Sequence, residues 1–448
     1  MSKYRSIIDQ LADRIRSGAL LPGARLPPQR QLAAQLGVDL TTVTRAYTEL
    51  KRMGLVEGRN GSGSFVRGLP VAVGPAAPAT GGFDLSMNVP PQPPGLGDRV
   101  AEGLAALLAG PEGGSSLGYQ PSSGTARDRA AGASWLGPRL GAVAEDRVVA
   151  AAGAQSALFA LLDLLLGRGD TLACAGLTYP GMRAIAAHLG LNLAGLAQDA
   201  QGIDPDAFER LCRDGPPKAL YLVPTIASPT TATLPQDRRQ AIVATARRHG
   251  VMIVEDDAYG ALQDTAPPPL AALAPDVVWH VASLSKCASP ALRVAYVAAP
   301  DASAVVPLTA GLRAISLMAS PLTAALATRW IGDGTLAALT AAIRAENRAR
   351  QRLAASLLPA GAVAAHPDGN HLWLTLPEGW SATAFTAAAR ESGLLVVPAD
   401  AFDVTGAPPR AVRLSLGGVP DRAGLERALR RLSRLLSGSA GAPGAAIV

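Results

Sequence analysis

From residue 148 onward, short apolar runs alternate with longer stretches whose apolar residues recur at helical spacing. This pattern predicts strands at Val148–Ala152, Thr171–Ala173, Ala219–Val223, Val251–Glu255 and Val277–Ala282, and helices such as Tyr179–Leu189, Pro235–His249 and Leu322–Ile331. Alternation of strands with helices favours an α/β domain with a mostly parallel sheet. Ligands bind such sheets at the carboxyl ends of the strands, so we look there for a site.

Lys286 lies just past the predicted strand Val277–Ala282 and is surrounded by small residues. A poorly hydrated ammonium has a lowered pKa and becomes a nucleophilic amine, which is what a Schiff-base lysine requires. Ser283 and Arg293, in the same segment, offer donors that suit a phosphate. A surface loop with one solvated lysine is the alternative that this segment alone leaves open.

Three other places carry polar residues at strand ends or inside strands. Gly153–Ser156 stands between an apolar run and a helical stretch, where backbone N–H groups at a helix N-terminus bind anions. Asp256 closes the apolar run that begins at Ile253, and Tyr259 follows three residues later. Arg413 stands inside the short strand Ala411–Leu416 and, if buried, needs an anion to pair with.

In this order, these motifs resemble the cofactor site of the fold-type I aminotransferases that use pyridoxal 5′-phosphate (PLP), over roughly residues 84–436. The resemblance implies that Lys286 forms the Schiff base with PLP. It also implies that Asp256 pairs with the protonated pyridine nitrogen, which keeps the ring electron-withdrawing. Tyr259 would hydrogen-bond the ring hydroxyl, and Tyr179 would stack on the ring.

The same resemblance assigns the acid groups of the cofactor and its ligand. The phosphate would be held by Gly153, Ala154, Gln155, Ser283 and Arg293. Tyr119 would reach the phosphate bound in the partner subunit, and Arg413 would bind the carboxylate of an amino acid. A helix end and a guanidinium neutralise a phosphate dianion, so the assignment is chemically consistent.

One position departs from the pattern of these enzymes. They usually carry Asn-Pro-Thr where this chain has Ser228–Pro229–Thr230, and the asparagine amide normally bonds the ring hydroxyl. Ser228 is shorter, so it would either fail to reach the ring hydroxyl or reach it through a water. We expect PLP binding to survive this change and efficient transamination to suffer.

Composition sets limits on the class of protein. At 448 residues the chain suits two or three domains. A content of 48% hydrophobic and 17% charged residues argues against global disorder.

The three cysteines are scattered and lack CxxC spacing, which favours a reducing compartment. The same spacing argues against a disulfide framework or a zinc site, and we expect no metal. Neither a signal peptide nor an apolar run of ~20 residues is recognisable, so we expect a cytoplasmic protein with no membrane partner.

Positive charge is concentrated at the N-terminus. Residues 1–68 hold 11 Lys and Arg against 5 Asp and Glu, whereas the remainder is balanced, because 41 − 11 and 35 − 5 both leave 30. A basic excess confined to one segment indicates a polyanionic partner for that segment.

The basic segment has the pattern of a winged helix-turn-helix, with helical stretches at 4–17, 29–36 and 42–53 and a glycine-rich hairpin at 55–66. Thr41 or Thr42 is expected to cap the third helix, which would read the major groove of DNA. The predicted DNA contacts are Arg30, Thr41, Thr42, Thr44, Arg45, Arg59 and Asn60. A small helical protein-interaction domain with a solvated basic face is the alternative.

The segment also resembles the GntR-type DNA-binding domain. Four motifs carry this resemblance: Leu21–Pro27, Arg30–Ala33, Thr42–Tyr47 and Gly61–Val66. The family usually has a serine where this chain has Pro28, which removes one possible phosphate contact or helix cap.

One chain with both parts resembles the MocR branch of GntR-type transcription regulators. The expected fold is an N-terminal winged helix-turn-helix (1–68), a Pro/Gly/Ala-rich linker (69–82), an aminotransferase-like α/β domain (83–437) and a frayed tail (438–448). A small α+β subdomain is expected over about 340–437, with strands His371–Leu376, Leu394–Pro398 and Ala411–Leu416 and helices Ala382–Ser392 and Asp421–Ser437.

The sequence is therefore interpreted as a PLP-dependent regulator that binds a double-stranded DNA operator and senses an amino compound by exchange at Lys286. Family precedent implies a head-to-tail homodimer. No physiological turnover is expected, although a residual aminotransferase half-reaction is compatible with the site. The alternatives are an active aminotransferase that carries a DNA-binding domain, a sensor of PLP itself that controls vitamin B6 supply, and a DNA-binding scaffold with a dead site.

Overall fold

The computed structural model describes Tyr4, Ile7, Ile8 and Leu11 and residues 26–52, 55–59, 63–66, 81–111 and 113–438. The chain divides into two compact units, Met1–Ala76 and Ala77–Val448. The division falls inside the range 69–82 that the sequence predicts as a linker.

The N-terminal unit contains two described helices, α1 (Gln29–Leu36) and α2 (Leu40–Arg52), and the antiparallel hairpin β1 (Val56–Arg59) with β2 (Gly63–Val66). Its buried residues are Ile7, Ile8, Leu11, Leu26, Leu32, Ala33, Val43, Ala46, Tyr47, Leu50, Leu55 and Val56. This small core closes around one face of α2 and leaves the opposite face to solvent.

The cap of α2 differs from the sequence prediction. The helix begins at Leu40, and Oδ1 of Asp39 accepts a hydrogen bond from the Thr41 backbone N–H at 2.8 Å. A carboxylate satisfies a free N–H and interacts favourably with the helix dipole. The prediction that Thr41 or Thr42 caps the helix was wrong, because the helix starts before both residues.

The larger unit is built on a seven-stranded sheet. Its strands, in chain order, are β4 (Val148–Ala151), β5 (Thr171–Ala175), β6 (Asn192–Leu196), β9 (Ala219–Leu222), β10 (Met252–Asp256), β11 (Val278–Ser283) and β12 (Ala295–Ala298). The order across the sheet is β4-β12-β11-β10-β9-β5-β6, and only β12 runs antiparallel to its neighbours. The predicted mostly parallel sheet is confirmed.

Helices cover both faces of this sheet and bury its strands. They are α3 (Leu96–Ala109), α4 (Ala126–Leu140), α5 (Ala154–Leu165), α6 (Pro180–Leu189), α7 (Pro205–Asp214), α8 (Gln236–His249), α9 (Leu270–Leu273), α10 (Val305–Ser316) and α11 (Pro321–Gly332). Two short strands, β7 (Gln198–Asp199) and β8 (Gly202–Ile203), form a separate hairpin. Burial on both faces explains why the parallel strands read as continuous apolar runs.

The long helix α12 (Thr335–Leu357) leads into a smaller antiparallel sheet of order β13-β14-β17-β16. Its elements are β13 (Val363–Ala365), β14 (His371–Thr375), β16 (Val397–Pro398) and β17 (Ala411–Ser415), with helices α13 (Ala382–Glu391) and α14 (Arg422–Ser437). A further strand, β15 (Leu394–Leu395), pairs in parallel with β3 (Phe83–Asp84).

The predicted single strand Leu394–Pro398 was wrong. Leu394 and Leu395 pair with β3, whereas Val397 and Pro398 pair with β17 in another sheet. Both halves are apolar, so sequence periodicity could not separate them.

In the described part of the chain, no helix is both long enough and apolar enough to cross a bilayer.

Candidate functional site

The site of the larger unit forms at the carboxyl end of the central strands. Asp256 is the last residue of β10, and Ser283 is the last residue of β11, three positions before Lys286. Because β10 and β11 are parallel neighbours, their ends deliver Asp256 and Lys286 to the same edge of the sheet.

Asp256 is buried, and only one of its carboxylate oxygens has a partner. The Tyr221 hydroxyl donates to Oδ2 at 2.9 Å, whereas Oδ1 is buried without a hydrogen-bond partner among the described residues. Burial raises the pKa of Asp256 to about 6, although the bond from Tyr221 lowers it. An unpaired buried acceptor of this kind requires a donor, and a protonated ring nitrogen would supply one.

Lys286 has the character of a reactive amine. Its Nζ donates to the backbone carbonyl of Asn88. Burial lowers the pKa of Lys286 to about 8, and the positive charge of Arg413 lowers it further. The neutral, nucleophilic form is therefore accessible near neutral pH, unlike that of a solvated lysine.

The phosphate end of the predicted site is made by Gly153 and Arg293. Gly153 precedes α5 with φ 85°, and a Cβ at this position would lie 2.7 Å from a terminal nitrogen of the Arg293 guanidinium. Close approach of a guanidinium to a helix N-terminus concentrates positive potential on one small region. The Ser283 hydroxyl, which donates to Ser285 Oγ at 3.0 Å, lies at the end of β11, which β12 separates from β4.

The other predicted cofactor residues on this side are Ala154, Gln155 and Tyr179. Ala154 is the first residue of α5, and Gln155 Nε2 donates to the Gly181 carbonyl at 3.3 Å. Tyr179 precedes α6, and burial together with the charge of Asp256 raises its pKa. Tyr179 therefore lies within electrostatic range of Asp256, although the residue is 37% exposed.

Arg413, on β17, comes from the smaller sheet. It is buried, donates to the Ser86 carbonyl, and its guanidinium carbon lies 5.6 Å from the ring centre of Phe402. Burial lowers the pKa of Arg413 to about 10, and its Nε is buried with no partner among the described residues. A buried cation with unused donors is suited to a carboxylate.

Tyr259 belongs to a hydrogen-bonded cluster at the boundary of the two sheets. Its hydroxyl accepts from Asn88 Nδ2 at 2.6 Å, and its ring centre lies 5.5 Å from that of His371. Burial raises the pKa of Tyr259, so the phenol stays protonated. Sequence analysis assigned His371 no role, yet the structure places it here.

Beneath Asp256 lies a network of buried charges. His280 Nδ1 lies 2.9 Å from Glu255 Oε2, and Arg139 pairs with Asp257 at 3.1 Å. Although burial lowers the pKa of His280, its hydrogen bond to Glu255 raises it overall. The same pairing holds the pKa of Glu255 below its usual range against the effect of burial. These groups hold the end of β10 in place.

Two predicted residues form no hydrogen bond with Lys286 or Asp256 in the part of the chain that the structure describes. Tyr119 is 86% exposed. Ser228 is half-buried next to Ala227, whose carbonyl lies 3.3 Å from Nε2 of His371. The assignment of Tyr119 to a partner subunit stays a prediction.

Tyr221 was missed by the sequence analysis. A tyrosine inside a fully buried strand requires a partner for its hydroxyl, and that signal could have singled it out. Asn88 was missed as a hydrogen-bonding group, because its partner Tyr259 lies 171 positions away.

The candidate nucleic-acid interface of the N-terminal unit is the exposed face of α2. Thr41, Thr44 and Arg45 are exposed, and Thr42 is half-buried. Thr44 donates to Gln29 Oε1 at 2.9 Å, and the Arg45 guanidinium carbon lies 5.6 Å from the ring centre of Tyr4. These contacts orient polar side chains along one face.

The remaining predicted DNA contacts flank this helix. Arg30 is exposed on α1. Asn60 and the side chain of Arg59 lie outside the described residues.

The residues of the large site fit a phosphorylated pyridine aldehyde. The amine of Lys286 would bond the aldehyde carbon, Asp256 Oδ1 would accept from the ring nitrogen, and Gly153 with Arg293 would hold the phosphate. Among the residues that the structure describes, no group of three or more His, Cys, Asp or Glu is placed to hold a metal ion.

Comparisons with known proteins match both units. The family of class I and II aminotransferases matches residues 80–432, and the gntR family of bacterial regulatory proteins matches residues 3–66. A solved structure with the same fold is LysN, the α-aminoadipate aminotransferase of Thermus thermophilus, complexed with N-(5′-phosphopyridoxyl)-L-leucine. It is 28% identical, and the match covers 80% of this chain and 92% of that chain with a TM-score of 0.72.

Two relatives match nearly the whole chain. The vitamin B6 salvage pathway transcriptional repressor PtsJ of Salmonella typhimurium is 30% identical over 93% of this chain and 94% of its own length. The HTH-type transcriptional regulator YdeF of Bacillus subtilis is 29% identical over 97% of this chain and 94% of its own length. Both relatives are thus similar across the two units together.

Proposed function

Because the chain belongs to the family of class I and II aminotransferases and carries a GntR-family domain at its N-terminus, we propose that it is a PLP-dependent, DNA-binding transcription regulator of the MocR type. The observation that carries the proposal is that Lys286 and Asp256 lie at the same edge of the sheet. A half-buried amine with a pKa of about 8 lies within electrostatic range of a buried carboxylate whose Oδ1 needs a donor. The exposed polar face of α2 supports the DNA-binding part.

PLP, when bound, supplies an electron-withdrawing ring and a carbon that an amine attacks. The residues of the chain bind and orient it. Asp256 holds the proton on the ring nitrogen, Tyr259 offers its phenol proton to the ring hydroxyl, and Arg293 neutralises phosphate charge. Lys286 would hold the aldehyde carbon of PLP through its amine.

The proposed effector is an amino compound that carries a carboxylate. Its amine would exchange with Lys286, and its carboxylate would take the donors of Arg413. Exchange can regulate DNA binding only if the effector binds two arrangements of the protein with different free energy. A change in closure of the smaller sheet, which carries Arg413, over the larger sheet would supply two such arrangements.

We further propose that the active form is a head-to-tail homodimer that binds two half-sites on double-stranded DNA. Tyr119 supports this, because an exposed tyrosine on a surface loop is available to the phosphate site of a second copy. A DNA target implies that the protein acts in the cytoplasm.

No physiological turnover is proposed, since Ser228 stands where the aminotransferases usually have the asparagine that bonds the ring hydroxyl. A residual aminotransferase half-reaction is compatible with Lys286 and Asp256. An active aminotransferase would instead release keto acid over many cycles, which distinguishes the two functions.

A second candidate function is a sensor of PLP itself that controls vitamin B6 supply. The similarity to PtsJ, which is named as a repressor of vitamin B6 salvage, favours it. This function requires no amino compound, so PLP alone would change DNA affinity.

The deciding experiment is an absorbance titration of the full chain with PLP, followed by a panel of amino compounds and by DNA-binding assays. A band near ~420 nm that is lost in Lys286→Ala is expected of a lysine bound to PLP. A shift by one amino compound without keto acid supports the regulator. Sustained keto-acid production supports the enzyme, and a change in DNA affinity with PLP alone supports the PLP sensor. Absence of the band in the wild type contradicts PLP binding.

A further inference from the structure

Asn88 is the residue where three parts of the candidate site meet. Its backbone carbonyl accepts from Lys286 Nζ, and its side-chain Nδ2 donates to the Tyr259 hydroxyl at 2.6 Å. The same Nδ2 lies 3.5 Å from Nδ1 of His371. Asn88 thus contacts both the amine and the phenol that the proposed function assigns to the cofactor.

The orientation of the Asn88 amide follows from His371. Nε2 of His371 lies 3.3 Å from the backbone carbonyl of Ala227, which can only accept a hydrogen bond, so Nε2 carries the ring proton. Burial and the charge of Arg413 lower the pKa of His371 to about 3, so the ring is neutral and Nδ1 is an acceptor. The group of Asn88 that faces Nδ1 must therefore be the amide NH₂.

This orientation decides what Tyr259 can do. Because Asn88 donates to the phenol oxygen, the phenol proton remains free to be donated to another acceptor. Donation to the oxygen also makes that proton more acidic, since chains of hydrogen bonds polarise one another. Oδ1 of Asn88 is buried without a partner among the described residues, so it can accept a hydrogen bond from a bound ligand.

We propose that Asn88, oriented by His371, is a positioning residue that supplies through Tyr259 the amide interaction that Ser228 is too short to provide. The proposal rests on the proposed function, because it concerns the ring hydroxyl of bound PLP. With Asn88 in this role, the ring hydroxyl of bound PLP would receive a strengthened hydrogen bond from Tyr259, although Ser228 stands where the aminotransferases usually have asparagine. The amide comes from the segment at residues 84–89, far in sequence from the position where the aminotransferases usually carry it.

The test is a pH titration of the visible band of the PLP-loaded full chain. Hydrogen-bond donors to the ring oxygen draw negative charge away from it, and this lowers the midpoint, which is the pH at which half of the absorbance change has occurred. Removing a donor therefore raises the midpoint. Asn88→Ala is expected to raise the midpoint by ~0.5–1 pH unit, as the loss of one hydrogen bond predicts. Asn88→Asp should raise it more, because a carboxylate cannot donate and adds negative charge.

Two further variants separate positioning from packing. His371→Phe keeps an aromatic ring beside Tyr259 but removes both hydrogen bonds, and it should shift the midpoint in the same direction. Asn192→Ala removes an exposed amide that bonds the Gly169 carbonyl at 2.7 Å, and it should leave the midpoint unchanged.

A double-mutant cycle with Tyr259→Phe completes the test. If Asn88 acts through Tyr259, then Asn88→Ala adds little to the shift already caused by Tyr259→Phe. Fully additive shifts, or no shift in Asn88→Ala, would overturn the proposal. Thermal unfolding of each loaded variant excludes a folding defect as the cause of a shift. Failure of the wild type to form the band contradicts the proposed function instead, so the two failures are distinguishable.

Discussion

The Tyr221 hydroxyl donates to Oδ2 of Asp256 at 2.9 Å. Tyr221 lies on β9 and Asp256 on the neighbouring strand β10, so the bond is in the interior of the sheet. This bond fixes the carboxylate so that Oδ1 remains unpaired among the described residues. Tyr221 therefore determines which oxygen is available to a ligand, and it partly offsets the cost of burying the charge.

Replacing Tyr221 with Phe should raise the pKa of Asp256 above its present value of about 6, because the bond from Tyr221 lowers that pKa. A larger fraction of Asp256 is then protonated at pH 7, and it cannot accept from a ring nitrogen. We expect PLP affinity at pH 7 to fall about tenfold, as the loss of a hydrogen bond to a charged group predicts. Fluorescence titration with PLP at pH 6, 7 and 8 measures this, and the loss should be smallest at pH 8. An unchanged affinity at pH 6 would contradict the role given to Tyr221.

The rate at which PLP binds covalently should depend on pH through Lys286. Its pKa of about 8 means that the neutral amine increases as pH rises from 6 to 9 and levels off above the pKa. Stopped-flow absorbance should therefore give a midpoint near 8, well below the value of a solvated lysine. A rate that continues to rise without a midpoint up to pH 10 would show that Lys286 is hydrated. Lys286→Ala, which removes the amine, provides the baseline.

Arg413→Gln should remove the preference for amino acids over amines that lack the carboxylate. Charge-assisted hydrogen bonds contribute about 1.5–3 kcal/mol, so the preference should fall by about 10- to 100-fold. Spectral titration with an amino acid and with the matching amine gives the ratio. The matched control is Arg410→Gln, an exposed arginine on the same approach to β17, which should leave the ratio unchanged. Equal effects of the two variants would argue against a carboxylate site at Arg413.

His280→Leu should destabilise the larger unit. It leaves the buried Glu255 without its His280 partner, and breaking a buried ion pair costs about 3–5 kcal/mol. The pKa of His280 is raised, so the stability it contributes is complete below pH 6.5 and is lost as pH rises through its folded-state pKa. The difference between wild type and variant should therefore be largest near pH 6 and should shrink at higher pH.

Urea unfolding followed by tryptophan fluorescence measures this difference. All five tryptophans of the chain lie in the larger unit, so the signal reports on that unit alone. The exposed His188 gives the control, since His188→Leu should change the free energy of unfolding by less than about 0.5 kcal/mol. A pH-independent loss in His280→Leu would show that only packing had been removed.

Arg45→Ala should weaken DNA binding and reduce the slope of log affinity against log salt by about 1, as expected for one lost phosphate contact. Arg45→Lys keeps the charge, so it separates a phosphate contact from a bidentate contact to a base. Electrophoretic or fluorescence titrations at several salt concentrations give both quantities. The exposed Lys218 of the larger unit is the control, and an equal effect of Lys218→Ala would indicate nonspecific charge attraction.

Residues that finish a strand or follow it closely could be predicted from the sequence. The placement of Asp256, Lys286 and Gly153 at or just after strand ends was predicted because each follows a short apolar run. The regular alternation of strands and helices also predicted that the large sheet is mostly parallel.

Contacts between segments distant in the chain could not be predicted in the same way. The position of Tyr221 beside Asp256 depends on which strands are neighbours, and sequence pattern does not fix that order. The cluster of Asn88, Tyr259 and His371 depends on how the smaller sheet packs on the larger one. Periodicity reports which face of an element is buried and not what that face touches.

The donation from Arg413 to the Ser86 carbonyl joins residues 327 positions apart in the chain. During synthesis the N-terminal unit, which ends at Ala76, emerges long before β17. It can therefore fold while the cofactor site still lacks β17 and Arg413. A ribosome-bound or truncated chain that stops before Arg413 would thus carry the N-terminal DNA-binding domain without a complete cofactor site. The proposed control by an effector would be acquired only near the end of synthesis.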